Sequence, residues 1–352
     1  MKKRDFLTER KNKLGEIAKA HSLNSILISD VDLIEYFIDC SVESSYLLFQ
    51  KNKFTLFVHK MFQSDAKKVN NKYCKIEIIS KPFFLAIKEF GFFFDRVGFY
   101  GESLTYSEVK NLITYSRNVD FIDVSSSVNT LFEIADEEQI IRVKQAHKIT
   151  KKVWGEIPKL LDEKITEFEL SQAIAKLIRD FGAEKESFPV IVAFGNSTSN
   201  PHHIPTNKKL GNNKVVLIDF GVVFKGAKSD ITRTMILSPS KKMLAVKSFV
   251  DEALSEVESK IKAGIKVADL DLIARKVFQK ENVENNFLHS LGHGLGIKVH
   301  QSPRISFQSK EELKANQIIA IEPGLYFENS FGVRNENNYL VTETGSINLS
   351  KY

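Results

Sequence analysis

The chain has 352 residues, 43% of them hydrophobic, and a net charge of +6, which gives room for two or three ordinary domains around a large core in a globular, soluble chain. The excess positive charge is spread in short pairs such as Lys67-Lys68, Lys151-Lys152 and Lys241-Lys242, which reads as solvated surface and excludes nucleic acid as a partner. No apolar run reaches membrane-spanning length, no secretory segment follows the basic start, and Cys40 and Cys74 share no metal-ligand spacing, so the expectations are no membrane, no disulfide framework and a cytoplasmic location.

Residues 1–133 read as one α/β unit. Leu7, Leu14, Ile17 and Ala18 recur at helical spacing over 6–21. Residues 26–29, 46–49 and 54–58 read as strands, the last two joined by a turn at Gln50-Lys51-Asn52-Lys53, with 76–79 a further short strand. A helical piece is predicted over 104–112. The phenylalanine-rich stretch 82–100, cut by Lys88, Glu89, Asp95 and Arg96, reads as core. This half offers no set of His, Cys or acids at ligand spacing.

Over 135–161, Ile140, Val143, Ala146, Val153, Ile157 and Leu160 mark a hand-over helix with Asp136-Glu137-Glu138 at its positive end. Thr166-Glu167-Phe168-Glu169 is a capping-box pattern opening a second helix that stops at Gly182. Residues 188–195 then read as a strand entering a loop that carries Pro201-His202-His203, and adjacent loop histidines ordinarily face solvent. Val246, Val250, Ala253, Leu254, Val257 and Ile261 describe a long amphipathic helix ended by Ala263-Gly264, and another helix follows Asp269.

Two stretches of this second half repeat one pattern. Val215-Val216-Leu217-Ile218-Asp219-Phe220-Gly221 and Ile318-Ile319-Ala320-Ile321-Glu322-Pro323-Gly324 are each a buried apolar strand ending in an acid, followed by any residue and a glycine. A bare carboxylate there costs several kcal/mol unless something positive neutralises it. Asp230 comes eleven residues after Asp219, on one strand face with Thr232 and Thr234, and Glu336 comes fourteen after Glu322. Between the halves His293 lies in Gly292-His293-Gly294, where the glycines would let the backbone approach whatever the imidazole binds. Four carboxylates and one imidazole can hold two divalent ions. This oxygen-rich set suits Mn(II), Co(II), Fe(II) or Zn(II), and a water shared by two such ions becomes a nucleophile near neutral pH.

In this order Ile218-Asp219-Phe220-Gly221, Ser229-Asp230-Ile231-Thr232-Arg233-Thr234, His289 to Gly294, Ile321-Glu322-Pro323-Gly324 and Val333-Arg334-Asn335-Glu336 resemble the signatures of the pita-bread metallopeptidases. That family includes methionine aminopeptidase, Xaa-Pro aminopeptidase and prolidase. The start of a creatinase- or prolidase-like amino-terminal domain is similar to Asp30-Val31-Asp32-Leu33-Ile34-Glu35. The resemblance implies an α/β (α+β) architecture, with a creatinase-like domain over 1–133 and a pseudo-twofold pita-bread catalytic domain over 134–352. It also implies two divalent ions, Mn(II) first, on Asp219, Asp230, His293, Glu322 and Glu336, with Asp230 and Glu336 bridging and Glu322 shuttling the proton. His202, seventeen residues before Asp219, and His300, seven after His293, match substrate-contacting and catalytic histidines; His203 has no such counterpart. Arg304 is read either as the binder of a terminal carboxylate or as an exposed structural arginine. Gln301 and Asn337 depart from the family pattern, which often has acids there.

The activity implied is a dinuclear Xaa-Pro aminopeptidase acting on short peptides with proline in second position, with Xaa-Pro dipeptidase (prolidase) as the alternative and a homodimer as the expected assembly. Further readings are a non-catalytic binding protein on the same fold, against which the complete ligand set stands, and a metal-free creatinase-like amidinohydrolase.

Overall fold

The computed structural model describes residues 5–70, 72–89, 95–116 and 118–351. Two compact units divide the chain, Met1–Phe132 and Glu133–Tyr352.

The first unit is built on a mixed sheet of order β4-β3-β2-β1-β5-β6, from β1 (Ser25–Ile28), β2 (Ser45–Gln50), β3 (Lys53–His59), β4 (Cys74–Ile79), β5 (Arg96–Phe99) and β6 (Asp120–Asp123). β2 and β3 form the predicted hairpin, with Gln50 opposite Lys53. Lys51 and Asn52 both take positive φ, as a tight two-residue turn requires. Its helices are α1 (Phe6–Ala20), α2 (Val31–Ile38), α3 (Gln63–Ala66), α4 (Phe83–Glu89), α5 (Tyr106–Tyr115) and α6 (Ser125–Glu133). α5 begins later than the sequence suggests because Thr105 closes a capping box with Glu108. Phe83 and Phe84 are buried with Leu27, Leu48 and Phe57. Of the same phenylalanine-rich stretch, Phe90, Phe92, Phe93 and Phe94 lie outside the described residues.

In the second unit a helix pair followed by strands occurs twice. First come α7 (Glu137–Leu160) and α8 (Glu167–Asp180), then β7 (Lys185–Glu186), β8 (Ile191–Phe194), β9 (Val215–Phe220), β10 (Val222–Phe224), β11 (Ala227–Lys228) and β12 (Ile231–Ile236). The second round is α9 (Lys241–Glu258) and α10 (Val267–Lys280), then β13 (Gly292–Gly294), β14 (Gln301–Ile305), β15 (Ile318–Ile321), β16 (Gly324–Phe327), β17 (Phe331–Arg334), β18 (Asn337–Val341) and β19 (Ser346–Asn348). The main sheets run β12-β9-β8 and β14-β13-β15-β18-β19. Each acid-ended strand packs on its own helix pair: Ile218 of β9 with Val153, Ile157, Leu170 and Ile174, and Ile319 and Ile321 of β15 with Val250, Leu254, Leu270 and Ala274. Burying each such side chain is worth roughly 1.5–3 kcal/mol, so the two strands that end in acids are firmly held.

Three boundaries differ from the sequence reading. β8 starts only at Ile191, opposite Asp219, because Pro189 has no N–H to give a ladder. α9 ends at Glu258, and the chain then turns so that Ala263 and Gly264 bond Thr342 and Leu313, Gly264 taking a φ of +80°. α10 begins at Val267, ahead of Asp269. Among the described residues no helix is long and apolar enough to cross a membrane.

Candidate metal centre

Local structure fixes each acid separately. Asp219 sits near the end of the central strand β9, between Ile191 and Thr232 on its neighbours. Asp230 immediately precedes β12, Glu322 follows β15, and Glu336 lies between β17 and β18. His293 occupies the middle of β13, facing Arg304 on one side and Ala320 on the other.

The fold brings these side chains together. One ligand atom from each of Asp230, His293 and Glu336 lies within 4.8 Å of the others. His293 Nε2 is 3.8 Å from Asp230 Oδ2 and 3.7 Å from Glu322 Oε1. The Arg334 guanidinium joins the remaining acid, lying 2.6 Å from Asp219 Oδ2 and 4.0 Å from Glu322 Oε2. Asp219, Asp230, His293, Arg334 and Glu336 are all buried.

The His293 ring has its tautomer set by the backbone. Nδ1 lies 3.1 Å from the Gly294 carbonyl, which can only accept, so Nδ1 carries the proton and the Nε2 lone pair faces the acids. Burial, followed by His300, lowers the imidazole to about 4. Hydrogen bonds also order the residues behind Asp219. His289 Nδ1 donates to the Ser290 carbonyl, its Nε2 accepts from Tyr326 Oη at 2.9 Å, and Tyr326 Oη accepts from Arg334 at 2.8 Å. Arg334 Nε also donates to Thr232 Oγ1, which donates to Glu336 Oε2, both at 3.0 Å.

Electrostatics show what the set lacks. Burial, then Glu336, Asp219 and Glu322, push Asp230 well above the carboxylate range. Burial and Asp219 raise Glu322 to about 8 against the pull of Arg334, and Glu336 rises for similar reasons. Asp219 Oδ1 is buried without a hydrogen-bond partner. Four acids against one guanidinium leave three negative charges uncompensated when all are ionised. An orphaned carboxylate oxygen, an inward imidazole lone pair and mutually repelling acids together fit divalent cations.

The other sequence-picked residues lie around this cluster. His300 is exposed, its ring edge-on to His293 with centroids 4.4 Å apart. Partial desolvation on the side of the ring that faces the protein, then the nearby His202, lower its pKa. His202 is exposed on its loop, which is tied down where Arg334 donates to the Pro201 carbonyl at 3.1 Å. Arg304 is exposed on β14, its Nε donating to Ser290 Oγ at 2.8 Å. His203 turns away to bond the buried Glu167 at 2.8 Å, a carboxylate that also accepts from Phe194 and Thr206.

The glycines beside His293 serve a different purpose from the one read in the sequence. A Cβ at Gly292 would meet the Ala320 carbonyl oxygen at 1.9 Å, and one at Gly294 the Ser302 oxygen at 2.2 Å. They let β13 fit between β14 and β15 rather than opening a path to a ligand. Arg334, Tyr326 and Thr232 carry no role in the sequence reading. The available signal was Arg334 alternating with Glu336, since crowded acids need a counter-cation.

A mixed α/β chain whose buried acids and inward histidine fit divalent cations has the donor set of a metal-dependent protein. The profile of metallopeptidase family M24 matches residues 142–343, and that of the creatinase/prolidase N-terminal domain matches residues 10–134. The chain belongs to metallopeptidase family M24, with the pita-bread fold behind a creatinase-like amino-terminal domain. It is 30% identical over 348 residues to the Xaa-Pro dipeptidase of Pyrococcus furiosus, covering 98% of each chain. The crystal structure of the prolidase from Pyrococcus horikoshii superposes with a TM-score of 0.90 at 29% identity, over 97% of this chain and 98% of that one. An X-Pro aminopeptidase from Thermotoga maritima gives a TM-score of 0.85 at 27% identity, over 94% and 96%.

Proposed function

We propose that this chain is an Xaa-Pro dipeptidase, which releases the first residue of a dipeptide ending in proline. The observation that carries the reading is the end-to-end match, through both units, to proteins named Xaa-Pro dipeptidase and prolidase. It replaces the aminopeptidase of the sequence reading as the favoured activity.

Asp219 and Asp230 would hold one divalent ion, His293 and Glu322 the other, and Asp230 and Glu336 would bridge. Such ions, with Mn(II) the first candidate, polarise the scissile carbonyl and activate a water at neutral pH. The acids, the inward Nε2 and the bare Asp219 oxygen support this ligand set. Glu322, whose carboxyl is raised by burial in the metal-free chain and would be lowered with a divalent ion bound, would take a proton from the attacking water and return it. That return is chemically necessary, because a prolyl nitrogen carries no hydrogen and leaves poorly unless protonated. His202 and His300 at the rim would hold the peptide, and Arg304 would take the terminal carboxylate of the proline.

Residues 1–133 would contribute to a homodimer. The two free thiols, Cys40 and Cys74, support a cytoplasmic location. A Met-Pro dipeptide set against Met-Pro-Ala tests the activity. Cleavage of the dipeptide alone is expected, and preferential removal of Met from the tripeptide would restore the aminopeptidase reading that the Thermotoga likeness favours.

A further inference from the structure

Behind the acid cluster lies a buried polar network that the chemistry above does not use. Asn338 on β18 is fully buried and His147 on α7 nearly so. The Asn338 amide touches two of the acids at once. Its Oδ1 accepts from the backbone N–H of Asp230 at 3.1 Å, and its Nδ2 donates to Glu336 Oε1 at 3.2 Å. His147 bonds the same amide. Burial holds the imidazole neutral, lowering it to about 3 against the opposing effect of its hydrogen bond with Asn338.

The amide therefore has one workable orientation. A flip would aim Oδ1 at the Glu336 carboxylate and Nδ2 at a donor, the Asp230 N–H. With the amide fixed, each Glu336 oxygen has a single donor among the described residues, Asn338 on Oε1 and Thr232 on Oε2. Each oxygen keeps lone-pair capacity facing the cluster, the arrangement a bridging carboxylate needs.

We infer that Asn338, oriented by His147, is a positioning residue that presets Glu336 and the Asp230 backbone for cation binding. The inference rests on Asp230 and Glu336 being ligands. Its consequence is that a residue touching neither substrate nor ion governs how tightly the ions are held.

Mn(II) titrated into chelator-stripped protein against a competing dye tests it. Asn338→Ala is expected to weaken Mn(II) binding about 10- to 100-fold, His147→Leu to weaken it less, and His147→Gln, which keeps an N–H donor, to restore it. Melting of the stripped chains is read alongside, because a purely structural role lowers the melting temperature while leaving the Mn(II) affinity unchanged. Folded Asn338→Ala and His147→Leu chains that bind Mn(II) as the parent does would overturn the inference. If Asn338→Ala does not fold, His147→Leu decides, since it leaves Asn338 bonded to Asp230. A parent chain that takes up neither Mn(II), Co(II) nor Zn(II) would instead overturn the metal-centre reading itself.

Discussion

Replacing Arg334 by methionine removes the guanidinium that stands against the acids while keeping a side chain of similar length. The ion pair with Asp219 is 2.6 Å long, with both side chains buried. Removing one partner of such a pair costs about 3–5 kcal/mol, because the other charge is left without compensation. In a unit of this size 1 kcal/mol moves the melting temperature by about 2–4 °C, so the metal-free protein should melt roughly 6–20 °C lower. The deficit should be larger at pH 8 than at pH 5, because Glu322, raised to about 8, loses its proton over that interval and adds a negative charge that, among the described residues, only Arg334 offsets. Added Mn(II) should recover part of it. Arg334→Lys keeps the charge but loses the fork that reaches Asp219, Thr232, Tyr326 and Pro201, and should fall between. Thermal melts of stripped protein at both pH values read this directly. A small, pH-independent loss for Arg334→Met would mean that Arg334 acts only by packing and that the acids do not burden the fold.

Two further outcomes follow from the same geometry. Glu322, raised from 4.5 to about 8, keeps in the folded metal-free chain a proton that the unfolded chain releases. Its contribution to stability therefore falls as pH rises from about 4.5 to 8. His293, lowered from 6.5 to about 4, acts in the opposite sense, costing stability as pH falls through that range. Binding of ions should displace the proton that Glu322 holds near neutral pH in the metal-free chain. Calorimetry in buffers of different ionisation heat should show this release, and identical heats in all buffers would contradict it. Gly294→Ala, whose Cβ would meet the Ser302 oxygen at 2.2 Å, should cost about 1–3 kcal/mol in denaturant melts and weaken Mn(II) binding by shifting His293. Gly345→Ala, with nothing within 4 Å of its new Cβ, should leave Mn(II) binding unchanged, and equal effects at the two positions would remove the steric argument.

The start of α8 was legible because its cap is local, Thr166 closing with Glu169 within four residues of sequence, whereas the equally local Thr105–Glu108 box that opens α5 was not read. The acid-ended strands were legible for a related reason, since an apolar run closed by a carboxylate already states its own electrostatic problem. What solves that problem was harder to read. Arg334 is separated from Asp219 by 115 positions, and in sequence it is one arginine among ordinary polar neighbours. Asn338 and His147 come from different elements, and only tertiary packing joins them. By spacing alone His203 read, like His202, as a solvent-facing loop histidine, and its partner Glu167 could not be found that way. The glycines around His293 show the converse limit: their residue type was informative, but whether strand or ligand needed the space depended on where β14 and β15 lie.

The most direct measurement counts divalent ions bound per chain, together with Met-Pro hydrolysis, for the parent protein and for His293→Ala. The parent should take up two Mn(II) ions and cleave the dipeptide, losing both properties to a chelator and regaining them on readdition. The folded variant should bind fewer ions and lose turnover with them. A His293→Ala protein that keeps both ions and full activity would show that the buried acids and imidazole are not the cation site.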